Sequence, residues 1–171
     1  LELMNRGYSR EWYLDRIKAI RQIIPDCAIS MDIIAGFCSE TEEEHNDTLS
    51  LMDIVQYNFG YMFSYSERPN TQAQRKLKDD VPEEIKKRRL QEIIKKQMKH
   101  SLIRNQEQVG KTHKVLVEGV SKKSENELFG RNSQNSVVVF PKENYQAGDY
   151  IMVEVSSCTA ATLKGQAIHK L

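Results

Sequence analysis

An α/β segment followed by a small all-β barrel is the fold class this sequence predicts, on three observations. Residues 9–66 alternate helix-period and strand-period apolar patterns in the order helix, strand, helix, strand, which implies parallel strands joined by right-handed crossovers. Residues 82–109 form one long basic helical pattern, with eight Lys/Arg against four Asp/Glu. After Lys111, five short β-prone runs are separated by loops rich in Gly, Asn, Ser and Lys, the signature of a small closed or nearly closed barrel. The expected division is 1–81 for the last part of an α/β domain, 82–110 for a connecting basic helix, and 111–171 for the β module.

The first helix is expected over 9–24. Ser9 supplies an N-cap oxygen, Tyr13, Ile17, Ile20 and Ile24 make one apolar stripe, and Pro25-Asp26 ends it. Cys27–Ala35 is a short, nearly continuous apolar run that reads as a strand buried on both faces. Asp32 interrupts it, at a cost unless its carboxylate is paired or at a strand end. Thr41 and Glu44 have capping-box spacing at the start of a second helix, with Leu49, Met52 and Val55 facing inward. Tyr57–Ser66 reads as an aromatic-rich strand. Residues 67–81 read as a loop. Pro82 suits the first position of a helix that buries Leu90, Ile94, Gln97 and Met98, with Gly110 as its stop. The five β runs are His113–Val120, Glu127–Asn132, Ser136–Phe140, Asp149–Ser156 and Thr162–His169.

Two strands do not enclose a core, and the first residue is Leu. The chain is therefore expected to be a piece of a longer protein whose preceding part supplies further strands. No apolar run approaches the roughly 20 residues that span a bilayer, so no membrane partner is expected. Cys27, Cys38 and Cys158 are odd in number and widely spaced. That argues against a disulfide framework or a metal site and suits a reducing cytoplasm. The four histidines are scattered and read as solvent-facing or satisfied. Net charge is +1 but uneven: residues 1–60 carry five Lys/Arg against eleven Asp/Glu, while residues 61–171 carry twenty against thirteen. The second part is thereby favoured to meet a polyanion.

No paired cysteine, His-x-x-x-His, G-x-S-x-G or phosphate loop appears, so the residues alone give no reaction. Gly36 follows a parallel strand, where barrel enzymes bind ligands and Gly allows close backbone approach. In the β module, Lys111, Lys114, Lys122, Lys123, Arg131 and Lys164 with Phe129 are the ingredients of an RNA or single-strand platform. Phe140 ends an apolar run and reads as core, and Phe129 is open between core and stacking. The module carries eight Lys/Arg against six Asp/Glu, so affinity would rest on a local patch.

The stretch Met4-Asn5-Arg6-Gly7-Tyr8-Ser9-Arg10-Glu11-Trp12-Tyr13 resembles the M-x-R-x-Y-[ST]-x-x-x-Y segment of MiaB-type radical-SAM tRNA methylthiotransferases. Residues 32–43, DIIAGFCSETEE, resemble their D-I-I-x-G-F-P-G-E-T-E-E motif, and residues 65–73, YSERPNTQA, resemble Y-S-x-R-P-G-T-x-A. Val117-Glu118-Gly119, Gly130-Arg131 and Leu163-Lys164-Gly165 are similar to the V-E-x, G-R and L-x-G of the family's TRAM domain. The likeness covers the whole chain in order and spacing. Three departures stand out: Cys38-Ser39 for Pro-Gly, Met31 for Thr, and Asn70 for Gly. Asn70 tolerates a left-handed backbone, so its turn is expected to survive. Cys38 is expected to fill its turn rather than act as a reactive thiol.

The resemblance implies that residues 1–81 are the end of a partial, TIM-like radical-SAM barrel and 111–171 an OB-like TRAM barrel. It implies S-adenosylmethionine and two 4Fe-4S clusters in the full-length enzyme, with the cluster cysteines outside this chain, so the fragment alone is expected to be inactive and to bind no cofactor. The implied reaction replaces a hydrogen of the adenine ring of isopentenyladenosine, beside the tRNA anticodon, with a methylthio group. Asp32, Gly36, Glu40, Tyr65 and Arg68 would line the S-adenosylmethionine pocket. Glu40 would accept from an amine or hydroxyl, or serve as a carboxylate at a helix N-terminus. Arg68 would pair with an anionic group, or tie its loop to Asp79 or Asp80. The barrel would grip the anticodon arm through Arg131 and its lysines, in a monomer. Two readings compete: a sister methylthiotransferase acting on threonylcarbamoyladenosine in tRNA or on a ribosomal protein, and a non-catalytic RNA-binding module.

Overall fold

Ser9 behaves as its position in the sequence requires: its hydroxyl accepts from the Trp12 N–H and opens helix α1 (Arg10–Ile23). The structure is a computed structural model and describes residues 1–171. The chain divides into two units, Leu1–Gln97 and Met98–Leu171.

In the first unit, α1 is followed by β1 (Ser30–Ala35), α2 (Glu42–Val55), β2 (Phe59–Ser64), α3 (Gln72–Lys76) and α4 (Glu83–Gln106), which runs past the unit's end. β1 and β2 pair in parallel, from Ser30 opposite Phe59 to Ala35 opposite Ser64. The capping box is present in full: Thr41 Oγ1 accepts from Glu44 N at 3.2 Å, and Glu44 Oε2 accepts from Thr41 N at 2.8 Å. Thr41→Ala is expected to cost about 1 kcal/mol in urea denaturation followed by circular dichroism. An unchanged midpoint would show that the cap contributes nothing.

Ile17, Met31, Ala35, Met52, Val55, Tyr57 and Ile93 form the core of this unit. Four expectations are corrected. β1 is buried on one face only: Met31 and Ala35 point into the core, while Asp32 and Ile34 are exposed, as are Tyr61 and Phe63 on β2. The core residues of α1, α2 and α4 cover a single side of the two strands. On α1, Ile17 is buried but Ile20 and Ile24 are exposed. Residues 67–81 contain α3, capped by Thr71. On α4 the buried line is Lys86, Arg89, Ile93 and Gln97, whereas Met98 is 58% exposed.

The departures from the family pattern each have a local answer. Met31 lies opposite Gly60, where a Cβ would come within 2.8 Å of the Met31 side chain, so the missing side chain makes room for the larger residue. Asn70 takes φ +67°, as its tolerance of the left-handed region allows. Ser39 takes φ +64°, a conformation costing a non-glycine residue roughly 1–2 kcal/mol. Asp80 opposes that strain, its carboxylate accepting from Ser39 N at 2.7 Å and Ser39 Oγ at 3.2 Å. Those bonds hold the Asp80 carboxyl below its usual range. Cys38 is buried in the turn.

The second unit contains all five expected strands: β3 (Thr112–Val120), β4 (Glu127–Asn132), β5 (Val137–Pro141), β6 (Tyr150–Cys158) and β7 (Leu163–Lys170). They close into a barrel in the order β3-β4-β5-β7-β6, with β5–β7 the one parallel pair. Val115, Val117, Leu128, Val138, Phe140, Ile151, Val153, Val155 and Leu163 fill it, so Phe140 is core. Gly130 and Gly165 mark close approaches of neighbouring strands: a Cβ on either would lie 2.1 Å from a backbone carbonyl oxygen, of Leu116 and Glu154 in turn. No helix is long and apolar enough to cross a membrane.

Candidate functional site

The residues singled out by sequence are divided between the two units. In the first unit, Gly36 follows β1 with φ +73°, and its N–H donates to Glu40 Oε2 at 2.7 Å. The same oxygen accepts from Arg89 Nη1 at 2.9 Å, and that nitrogen also reaches the Glu40 carbonyl at 2.8 Å. Glu40 is thus an internal partner of its own turn, and the group closest to Gly36 is the stem of Lys86: a Cβ on Gly36 would meet Lys86 Cγ at 2.4 Å. Tyr65 is buried at the end of β2, with its N–H bonded to the Ala35 carbonyl at 2.8 Å. Its ring meets Phe37 edge-on at 5.0 Å, and the Lys86 ammonium lies 5.5 Å from its centroid. Burial, with the Cys38 side chain beside it, pushes the Tyr65 hydroxyl up to about 12.

Arg68 is exposed and does not tie its loop to Asp79 or Asp80. Asp79 is taken by Lys86 Nζ at 2.7 Å and Asp80 by Ser39. Asp32 stands apart from this hydrogen-bonded turn, on the exposed face of the sheet. The parallel register sets it opposite Tyr61, and Ile34 opposite Phe63. That face therefore offers a carboxylate among exposed aromatic and aliphatic side chains.

Sequence reasoning passed over Lys86 and Arg89. Both were counted as part of a basic helix, yet they are 1% and 4% exposed. Burial alone would depress the Lys86 ammonium, but its hydrogen bonds to Asp79 and Glu83, at 2.7 and 2.9 Å, hold it above the ordinary value. A signal was available: Lys86, Arg89, Ile93 and Gln97 recur at spacings of three, four and four, the spacing of one buried helix face. Arg88 and Arg89 also pull Glu42 down to about 2 through their hydrogen bonds. His45 is fully buried, with Nε2 at 2.8 Å from Glu92, while its Nδ1 is buried without a hydrogen-bond partner, so the expectation of a solvent-facing or satisfied histidine is met on one ring nitrogen only.

In the second unit, strand alternation turns Phe129 and Arg131 outward, while Leu128, Gly130 and Asn132 point in. Across the strands, Gly119, Phe129, Val139 and Lys164 form one row. Arg131 is held by the β4–β5 turn, donating to the Asn135 carbonyl at 3.0 Å and to Asn135 Oδ1 at 3.1 Å, and its Nε lies 3.4 Å from Glu118. The motif residues are thus linked in space: Glu118 lies beside Arg131, a Cβ on Gly119 would meet the Phe129 ring at 3.6 Å, and Gly130 admits the β3 backbone. Lys164 lies 4.0 Å from Glu127, and Lys114 stacks over Tyr150 at 4.5 Å. Lys111 is exposed just before β3, and Lys122 and Lys123 are exposed on the β3–β4 loop. No group of three His, Cys, Asp or Glu side chains is placed to hold a metal ion.

Residues 106–168 match the TRAM domain family. Over 168 residues, 98% of its length, the chain is 61% identical to a protein of Flavobacterium johnsoniae named tRNA-2-methylthio-N(6)-dimethylallyladenosine synthase. Proteins of that name from Amoebophilus asiaticus and Bacteroides fragilis are 58% and 54% identical over 97% and 98% of the chain. The chain spans about a third of the length of these relatives, between 34% and 37%.

Proposed function

We propose, for a chain that belongs to the family of the tRNA-2-methylthio-N(6)-dimethylallyladenosine synthases, that it supplies one wall of a radical-SAM barrel and the RNA-binding barrel of such an enzyme. The observation that carries this reading is identity of 54–61% running through both units. The full-length protein would add a methylthio group to isopentenyladenosine beside the tRNA anticodon, in the cytoplasm and as a monomer.

The exposed face of β1 and β2 fits the adenosine end of S-adenosylmethionine. Ile34, Tyr61 and Phe63 offer apolar surface to a base, and Asp32 an acceptor for an ammonium or hydroxyl. Glu40 and Gly36 bond to each other, so their part would be to shape the turn at the mouth. Tyr65 would pack behind that turn, and Arg68 would meet an anionic group at the rim. When bound, S-adenosylmethionine and two 4Fe-4S clusters supply the radical and the sulfur. Such clusters need thiolate ligands, and the sequence spacing of Cys27, Cys38 and Cys158 does not suggest a set.

On the barrel, Lys111, Lys114, Lys122, Lys123, Arg131 and Lys164 would neutralise phosphates of the anticodon arm, and Phe129 would present its ring to a base. Arg131→Ala is expected to weaken binding of an anticodon stem-loop and to lower the slope of log affinity against log salt by about 1. The same affinity and slope in both proteins would remove Arg131 from the interface. Mass spectrometry of tRNA nucleosides from a strain lacking the gene tests the activity. Loss of the methylthio group from isopentenyladenosine supports it, and loss from threonylcarbamoyladenosine, or no loss, overturns it.

A further inference from the structure

We infer that Arg89 and Lys86, on the first turns of α4, are positioning residues that hold the ends of β1 and β2 in the shape the cofactor meets. The inference rests on the proposed reading of that turn as the mouth of an S-adenosylmethionine site. One guanidinium nitrogen of Arg89 grips Glu40 twice, at its carbonyl and its carboxylate, and that carboxylate grips the Gly36 N–H. Three residues earlier, Lys86 fills the space beside the bare Gly36 Cα and ends under the Tyr65 ring, with Asp79 and Glu83 on its ammonium. Two buried cations from one helix thus brace both strand ends.

Stability is a poor reason to keep such an arrangement. Buried ion pairs often contribute nothing net over apolar residues of the same volume, because desolvation offsets the Coulomb attraction. Arg89 also leaves its buried Nε–H without a partner, a further cost. What the pair does supply is geometry. A planar guanidinium with Nη1 on Glu40 and Nη2 on Glu42 fixes the direction of the Glu40 carboxylate, and so of the Gly36 N–H, more tightly than an ammonium or an apolar contact would.

The test uses the full-length protein with Arg89→Met, Arg89→Lys and, as a control, Arg88→Met, which removes only exposed ion pairs with Glu42 and Glu92. Affinity for S-adenosylmethionine is measured by calorimetry, tRNA affinity separately, and exchange of the Gly36 amide by NMR or mass spectrometry. Arg89→Met is expected to accelerate Gly36 exchange and to weaken S-adenosylmethionine binding about tenfold or more, as a displaced turn would. Its tRNA affinity should stay unchanged, and Arg88→Met should match the natural protein throughout. Should Arg89→Met fail to fold, Arg89→Lys, which keeps the charge without the fork, is read in the same way. Natural-strength S-adenosylmethionine binding by the folded Arg89 variant overturns the inference alone. A natural protein that binds no S-adenosylmethionine overturns the functional reading and the inference with it.

Discussion

Gly165→Ala should destabilise the barrel strongly. The added methyl would lie 2.1 Å from the Glu154 carbonyl oxygen and 2.9 Å from a Val153 methyl. The first of these is backbone, paired across the sheet in the Glu154–Gln166 and Val155–Gly165 register, and it has no rotamer by which to escape. Relief requires separating β6 from β7, which together close the barrel around Val153, Val155 and Leu163. Overpacking of this kind costs roughly 3 kcal/mol, the upper end of the usual range. A unit of this size has only about 4–11 kcal/mol to lose. Urea denaturation followed by the methyl resonances of Val153, Val155 and Leu163 would read the shift. Gly130→Ala should behave alike, its Cβ meeting the Leu116 carbonyl oxygen at 2.1 Å, while Gly7→Ala, with nothing within 4 Å, should be near neutral. Equal midpoints for Gly165→Ala and Gly7→Ala would mean that the strands do not approach as described.

The second large effect is expected at Lys86, where two substitutions separate packing from charge. Lys86→Ala empties the space against Gly36 and Tyr65 and leaves Asp79 without its cation. Lys86→Met keeps most of the volume and loses only the ammonium. The Ala variant is expected to cost roughly 2–4 kcal/mol, as other long buried side chains do when cut to Ala. The Met variant also strips Asp79, 27% exposed, of its cation, while Glu83, 70% exposed, can return to water; it should still cost less than the Ala variant, because the volume is kept. The ammonium's contribution has a defined pH sign. Its pKa is raised on folding, so the contribution is complete below the ordinary value of 10.5 and disappears as pH rises through the raised one. Denaturation midpoints of both variants and the natural chain check this. A Met variant as damaged as the Ala variant would transfer the role from the stem to the charge.

Much of the architecture was legible from local chemistry. Ser9 and the Thr41–Glu44 pair could be read as caps because capping is a contact between residues two or three apart. The five barrel strands emerged from alternation and turn residues in the same way. The candidate site was less legible. Gly36 was marked by its place after a parallel strand, but Asp32, Glu40, Tyr65 and Arg68 came from a family motif, and the motif says nothing of which side of the sheet each occupies. Lys86 and Arg89 were missed because a basic helix reads as solvated, and only a partner more than forty residues away, Glu40, explains why Arg89 is buried.

Order along the chain was enough to dictate the periodicities, the caps and the positions where glycine or asparagine must take a left-handed turn, for these depend on covalent geometry and near neighbours. Long-range packing was needed to settle which face of β1 is open, which charges of α4 are buried, and which strands press against Gly130 and Gly165. Those outcomes depend on where distant segments come to lie, and a local pattern of apolar and polar residues carries no record of distances across the fold.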